Sequence, residues 1–543
     1  MGKVIRFIRA DTDVGGNGSQ TSPWGSFEEA EAADWDILLV LPSEEILYGG
    51  LRLKDGQIIE GFERESALLG SLDDLKYNGD VIVGVGDNKI RNLTFVESYR
   101  SAINALDSRD LTVSDCVIMN INTAGQQFFA DYTFGNPAMV LGQSFYWPAI
   151  SFYGGDQAVN NQIMPMNTTT GKFICHRVEF IGGAHAILVG SGDSLTNGLV
   201  TEEYRRHYCI SHCIFRNSAT AFENAYVTIM PGGGGYIAGK IKNCTFNSLD
   251  KPAISFGAIQ AGYPNSDRGN AAYGRNLVKG CTFTDGQTSA LMIWTCANQR
   301  NPRAEIILKG NTFNVDQSDA TIDYRNYWMT EGLSIKLTIK HNEFLGTGVS
   351  PILAALILSD VPTVIDFDSN RVRGCASLFE IANRVPAGPI FRPTATLLMN
   401  VRKNKLFDLG MLMYVASANA AGAKFKSIQF KYEQNCAQNI GATLGAAIVI
   451  GGVENSYLQG IGLAGSLGTT GIVFDFGGGM LMSKGQNSFI DVDGDLVWID
   501  LGYLITLHHA YFDNPTEVSD ASIGGAVDVA HRLKHNPRRC ETL

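Results

Sequence analysis

One short phrase returns ten times along the chain: an apolar residue, polar positions of which the last is usually Cys or Asn, and a large apolar residue two steps later. The copies are IRNLTF ending at Phe95, VSDCVI at Ile118, CHRVEF at Phe180, ISHCIF at Phe215, IKNCTF at Phe246, VKGCTF at Phe283, LKGNTF at Phe313, IKHNEF at Phe344, FDSNRV at Val372 and VRKNKL at Leu406. The position two before the closing residue reads Leu93, Cys116, Val178, Cys213, Cys244, Cys281, Asn311, Asn342, Asn370 and Asn404, a mixed apolar and thiol block followed by an amide block. Residue types sort this way while the spacing drifts, from 37 residues between Phe246 and Phe283 to 30 between Phe283 and Phe313, so equivalent positions must touch. Parallel strands lie about 4.8 Å apart, which lets Asn amides bond up and down a column. Each repeat is therefore one turn of a coil.

Repeats of this length leave solenoids, propellers and helical arrays. Helical arrays are excluded because the phrases are short, rich in β-branched and aromatic residues, and bounded by Gly, Asn, Asp and Ser. A propeller needs blades of regular length, which the drifting spacing denies. A β-solenoid keeps a fixed cross-section while loops swell outward at one point of each turn. The long step from Ile118 to Phe180 is expected to hide a coil whose phrase is unreadable. With 60 Gly and only 16 Pro, the composition suits many tight corners.

From about Ile58 to Cys436 these phrases resemble the right-handed parallel β-helix, or pectin-lyase-like, superfamily, and the Asn column resembles its asparagine ladder. The opening, ADTDVGGNGSQTSPWGSFEEAEAADWDILLVLPSEEILYGGLRLKDGQIIEGF, is similar to the lead-in of many such proteins. A short helix is expected over Ser26 to Ala33, with Ser26 as N-cap, then a strand over Ile37 to Leu41. The expected class is all-β, a right-handed parallel β-helix with an N-terminal cap and a Gly-rich β C-terminal region. The expected division is 1–57 as cap and lead-in, 58–450 as β-helix, 451–512 as thinner coils or a separate β module, and 513–543 as a polar arm.

A chain of 543 residues, 45% hydrophobic, can bury its core in one elongated solenoid of about a dozen coils, on the order of 60 Å long. The formal net charge of −11 argues against nucleic acid or an anionic membrane surface as partner. The longest apolar run, near Ala442 to Val453, is too short for a membrane-spanning helix. The N-terminus, MGKVIRFIRADTD, is broken by Arg6 and Arg9 and is not a secretory leader. A β-helix protein without a leader is expected to be of viral or phage origin, placed on a virion or outside the cell.

Of ten cysteines, Cys116, Cys213, Cys244 and Cys281 fall in the inward column and are read as core thiols. Cys209 and Cys213, flanked by His207 and His212, lack the partners a zinc site requires, and Cys540 sits in a polar tail. DVDGD at Asp491 to Asp495 lacks the closing Glu of a calcium loop and reads as a tight turn. MPGGGGY at Met230 to Tyr236 does not match a phosphate-binding template. His185 and the pair His508 and His509 read as structural. No metal or other cofactor is expected.

On a solenoid, function lies on loops and the strand faces they border. The loops after Phe246, Phe283 and Phe313 carry the richest mixture of aromatic and charged residues. A polysaccharide surface asks for that mixture, since rings cover sugar faces while Arg and carboxylates bond hydroxyls. The expected sugar contacts are Tyr263, Arg268, Trp294, Arg300, Arg303, Tyr324, Arg325, Tyr327 and Trp328. Glycoside hydrolysis needs two carboxyl groups about 5–10 Å apart, and Asp267, Asp323, Glu223 and Glu331 are the candidates. A lyase would instead use an Arg or Lys base, for which the same arginines are available.

Three readings stay open. The first is a tailspike-like protein that binds, and in its enzymatic form cleaves, a host surface polysaccharide. The second is a non-enzymatic structural or adhesive β-helix whose loops meet other virion proteins or subunits. The third is a cellular polysaccharide lyase or hydrolase. In viral spikes and fibres that resemble this chain, C-terminal parts commonly wrap neighbouring subunits, so a homotrimer is the expected assembly.

Overall fold

The computed structural model describes residues 2–73, 76–106, 109–125, 127–128, 145–154, 157–159, 162–164, 170–183, 185–191, 204–216, 225–231, 235–247, 252–256, 272–284, 289–295, 303–314, 320–326, 334–346, 350–357, 362–383, 395–418, 425–441, 443, 446–451, 463–465, 471–499, 504–513, 526–529 and 532–537. They form a parallel β-helix, with one α-helix and one 3-10 turn among more than forty strands. Two compact units are present, Met1–Gly257 and Ala258–Leu543.

Every coil follows one plan. A strand of the first face ends in a sharp corner, a short strand forms the second face, and a third strand precedes the return. In the first unit, Asp110–Ser114, Val117–Met119 and Ile150–Gly154 make one such coil. The next coil lies in register upon it, as Val113 on Cys175, Ile118 on Phe180 and Ile150 on Ile187. Because Ile118 and Phe180 are direct neighbours, the long step between them hides no coil. The extra residues are insertions on either side of the third-face strand.

The corner explains the phrase. Its turning residue has a left-handed backbone at every copy, with φ of 61° at Asn92, 57° at Asp115, 51° at Arg177, 56° at His212, 64° at Gly280, 55° at His341 and 57° at Lys403. β-Branched residues resist that conformation, so Asn, Asp, Gly and unbranched polar residues occupy it. The residue after it turns inward to form the column.

In the second unit that column is an amide ladder. The Asn311 side-chain oxygen accepts from the Cys281 N–H at 2.9 Å, and Asn311 donates through Nδ2 to Asn342 at 2.9 Å. The pattern repeats through Asn370, Asn404, Asn435 and Asn487. Each Nδ2 also reaches a backbone carbonyl, as from Asn342 to Leu308 and from Asn404 to Phe367, so buried amides are satisfied at every rung. In the first unit, Leu93 and Val178 share the position with thiols that donate to the carbonyl two residues back, Cys116 to Ser114 at 3.2 Å and Cys213 to Ser211 at 3.4 Å. Cys175 adds a further thiol 3.7 Å from Cys213. Cys116 and Cys213 are free and buried, as expected, and Cys175 is free and buried as well. Cys436, which the sequence reading did not single out, is disulfide-bonded.

Beside the column the closing phenylalanines stack nearly parallel: Phe180 on Phe215 at 4.9 Å, Phe215 on Phe246 at 4.6 Å, Phe283 on Phe313 at 4.6 Å and Phe313 on Phe344 at 4.7 Å. The one-rung repeat imposes this geometry, since identical rings on strands about 4.8 Å apart have little freedom to tilt.

The ends follow from the same logic. The helix is Phe27–Ala32, with a full capping box in which Ser26 Oγ accepts from the Glu29 N–H and Glu29 accepts from the Ser26 N–H. The outer edge of the first strand, Ile5–Ile8, is covered by the segment from Gly18 to Trp24 through bonds from Phe7 to Gly18 and from Trp24 to Phe7. Beyond Cys436 the three faces continue through Ile472–Asp475, Ser488–Val492 and Asp495–Ile499, and the first face reaches Ala526–Asp528. No helix among the described residues is long and apolar enough to cross a membrane.

Candidate functional site

The third face of the second unit carries the chemistry that can be placed. Its strands Leu291–Thr295, Ile322–Asn326, Pro351–Ile357, Ser377–Asn383 and Met413–Ala418 pair in parallel, one rung after another. Alternation along each strand separates a core side from an outer side. Leu291 and Ile293 are fully buried in the core while Met292 between them is partly exposed, and this fixes the phase for the strands in register with them.

On the outer side, one file runs Met292, Asp323, Ala354, Glu380 and Tyr414. Asp323 and Glu380 are two rungs apart with only the Ala354 methyl between them, a backbone separation of about 10 Å. Both carboxyl-bearing residues are nearly closed to solvent, at 8% and 5% exposure. Ala354 and Tyr414, on the same file, are also buried. The Ser377 hydroxyl donates to Glu380 Oε1 at 3.1 Å.

Among the residues expected from the sequence, Asp323 lies on this outer file. Tyr324, expected among the sugar contacts, turns into the core instead: it is fully buried and sits in register between Ile293 and Ala355. Trp294 and Arg325 are backbone partners on adjacent rungs, and Arg303 opens the strand Arg303–Lys309. Tyr263, Asp267, Arg268, Arg300, Tyr327, Trp328, Glu223 and Glu331 lie outside the described residues. Glu380 was missed because acidic residues were sought on loops. Its signal is the string SLFEIA, where one carboxylate interrupts an apolar strand.

In the first unit a second polar cluster is built for structure. Asp80 accepts from Arg100 Nε at 2.8 Å, from Arg100 Nη2, from Asn104 Nδ2 at 2.8 Å and from the Ser101 N–H at 3.1 Å. Desolvation pushes this buried carboxyl up, and the guanidinium and the other donors pull it back. The Arg100 guanidinium lies 4.2 Å over the Trp147 ring. With its acceptor sites filled, Asp80 is not poised to transfer a proton. No three His, Cys, Asp or Glu side chains among the described residues cluster as a metal site.

No protein-family model matches the chain. No curated protein sequence matches it either. Among solved structures, it is similar to the catalytic domain of a GH87 α-1,3-glucanase in complex with nigerose, at 11% identity and a TM-score of 0.44 over 75% of this chain. The chain spans 66% of the length of that domain. It is also similar to ORF18 of Geobacillus virus E2, at 9% identity and a TM-score of 0.27 over 78% of this chain and 57% of that one. The A-module of mannuronan C-5 epimerase AlgE4 from Azotobacter vinelandii follows, at 11% identity and a TM-score of 0.26 over 79% of this chain and 99% of that module. Likenesses this remote leave the assignment of function to the chain's own residues.

Proposed function

We propose that the outer side of the third face in residues 258–543 binds a polysaccharide and hydrolyses it with Asp323 and Glu380. The observation that carries this reading is their place on one file, two rungs apart across Ala354. Side chains reaching from backbones about 10 Å apart can leave their carboxyl groups separated by the width of a water and a glycosidic oxygen, as a displacement by water demands. Trp294 and Arg325, on neighbouring rungs of the same strands, supply residue types that suit sugar rings and hydroxyls. Tyr263, Arg268, Arg300, Arg303, Tyr327 and Trp328 are proposed to extend the contact, and Asp267, Glu223 and Glu331 are the remaining acidic candidates. The finer reading is a tailspike-like virion protein, a homotrimer, acting on a host surface glycan.

Incubation with a panel of bacterial and algal polysaccharides, read by new reducing ends, tests the reading. Asp323→Asn and Glu380→Gln should each lower the rate by about 10²–10⁴-fold. Wild-type rates in both variants would sink it, and absorbance of an unsaturated uronate would assign a lyase instead. A second reading, a non-enzymatic structural β-helix, is favoured by the complete burial of Tyr324 and Tyr414. It predicts no product from any glycan. Native mass measurement tests the trimer.

A further inference from the structure

Cys436 has a covalent partner among the other cysteines of the chain. Seven of the ten cysteines are free and Cys436 is disulfide-bonded, so its partner is Cys296 or Cys540. Both candidates lie outside the described residues, and the described residues beside them decide between them. Cys296 follows directly on the third-face strand Leu291–Thr295, and consecutive Cα atoms are about 3.8 Å apart. From that strand the pairing climbs five rungs, through Ile322–Asn326, Pro351–Ile357, Ser377–Asn383 and Met413–Ala418 to Ala446–Ile450, before it reaches the coil of Cys436. Five rungs are about 24 Å, whereas a disulfide joins Cα atoms no more than about 7 Å apart. Cys296 is thereby excluded.

The C-terminal segment leads the other way. Cys436 and Ser488 are register partners on successive rungs of the second face, and Ser488 in turn pairs with Tyr511. Ala437 and Phe489, one residue on, are buried in the core, so alternation puts Cys436 and Ser488 on the outer side. Along this row the chain runs back from the last rung. The Arg532 guanidinium lies 5.5 Å from the centre of the Phe512 ring, and the Leu533 N–H donates to the Ala510 carbonyl at 3.0 Å. The Ser488 hydroxyl donates to Asn536 Oδ1 at 2.5 Å. These contacts descend from the rung of Phe512 to that of Ser488, and Cys436 is one rung, about 4.8 Å, further in the same direction. The four-residue step from Asn536 to Cys540 spans up to about 13 Å. We infer that Cys540 is the partner of Cys436, and that their disulfide makes residues 532–540 a strap across the second face that oxidation closes and reduction opens. The bond forms by exchange with a small-molecule disulfide: one protein thiolate attacks it and releases one small thiol, then the second protein thiolate displaces the other. Two protein thiols thus lose two protons and two electrons, and the oxidant becomes two thiols. Closure holds three successive rungs together at the end where the strand Tyr511–Phe512 is only two residues long.

The test uses the full chain, oxidised with glutathione disulfide and then denatured with N-ethylmaleimide to block free thiols. Tryptic digestion without reductant should yield the C-terminal peptide that holds Cys540 linked to peptide 432–484, which holds Cys436. Reduction of the native protein with dithiothreitol should then quicken amide exchange at Tyr511, Phe512 and Leu533 by roughly tenfold or more, and leave Asn370 and Asn404 unchanged. Cys540→Ser, a change in the polar tail that leaves the coils intact, should show the quickened exchange from the start and no response to dithiothreitol. A free C-terminal peptide in the unreduced digest, or a link from 432–484 to 280–300, which holds Cys296, overturns the pairing. A link between two chains, seen as a doubled mass that reductant halves, overturns it as well. The expected link with exchange unmoved by reductant overturns the strap and leaves the disulfide standing.

Discussion

At the scale of single residues, the fold is set by a pair, the left-handed corner and the inward side chain that follows it. Lys403 turns the corner before Asn404 with φ of 57°, and its side chain is exposed. Lys403→Gly relieves a backbone strain of roughly 1–2 kcal/mol against an entropic loss of about 0.4–1 kcal/mol, so a net gain between about 0 and about 1.6 kcal/mol is expected in a urea melt. Lys403→Val should lose at least as much. The thiol column makes an alkaline prediction. Burial pushes the Cys116 thiol up to about 12 from an ordinary value near 9.0. Unfolded chains therefore release this proton as pH rises above about 9 while folded chains keep it, and stability falls. At pH 10 the loss from this group is about 1.4 kcal/mol, and Cys116→Ala should remove it, seen as a smaller drop in urea midpoint between pH 8 and pH 10. The sorting of column residues into thiols and amides was legible in the sequence because each phrase is short and complete. Asn435 and Asn487 were not, since Asn435 lies in an altered phrase and the next rung lies 52 residues on.

The element that separates Asn435 from Asn487 shows how a coil absorbs an insertion between its first and second faces. Asp475, closed to solvent at the end of the strand Ile472–Asp475, gathers the glycine-rich loop around its carboxylate. One oxygen accepts from the Gly477 and Gly479 N–H groups at 3.0 Å and from the Thr506 hydroxyl at 3.2 Å. The other accepts from Leu481 at 2.9 Å and Ser483 at 3.2 Å. Composition identified this stretch as Gly-rich but not as ordered, because the organising residue is a single buried acid whose donors are all downstream. Asp475→Asn replaces one acceptor oxygen by an amide donor, leaving two N–H groups without a partner at a cost of roughly 2–4 kcal/mol. Hydrogen exchange should quicken at Gly477 to Ser483 and stay unchanged at Asn370 and Asn404. Met480 and Met482, at 83% and 84% exposure, should oxidise before the buried Met399, Met411 and Met413 under mild peroxide. The strand that carries Asp323 and Tyr324 gives a parallel lesson. Both residues looked loop-like because aromatic and charged residues follow them, yet alternation within Ile322–Asn326 sends one outward and the other into the core.

For the whole molecule, the question left open by the sequence was whether the chain after Gly451 is a separate module. Where the phrase weakens, the pairing pattern persists and the corner keeps its left-handed residue, with φ of 55° at Gln486 before Asn487 and 56° at His509 before Ala510. Phe430 lies on Phe474, Ala437 on Phe489 and Ile448 on Val497, each in the parallel register of the preceding rungs. Phe474, Phe489 and Val497 are each about 1% exposed, so they cap the apolar interior left by the rung before them. Removing residues 451–543 would strip the partner strand from Phe425–Glu433, Cys436–Ile440 and Ala446–Ile450 at once. Three unpaired parallel edges and an open core would then face solvent, the condition under which strands recruit one another between molecules. A chain ending at residue 450 should therefore be recovered mainly as aggregate, or unfold at a markedly lower temperature with strong binding of a hydrophobic dye. A monodisperse product with the thermal stability of the full chain would show that the coils before residue 451 close without those that follow, and would return the C-terminal region to the status of an independent module.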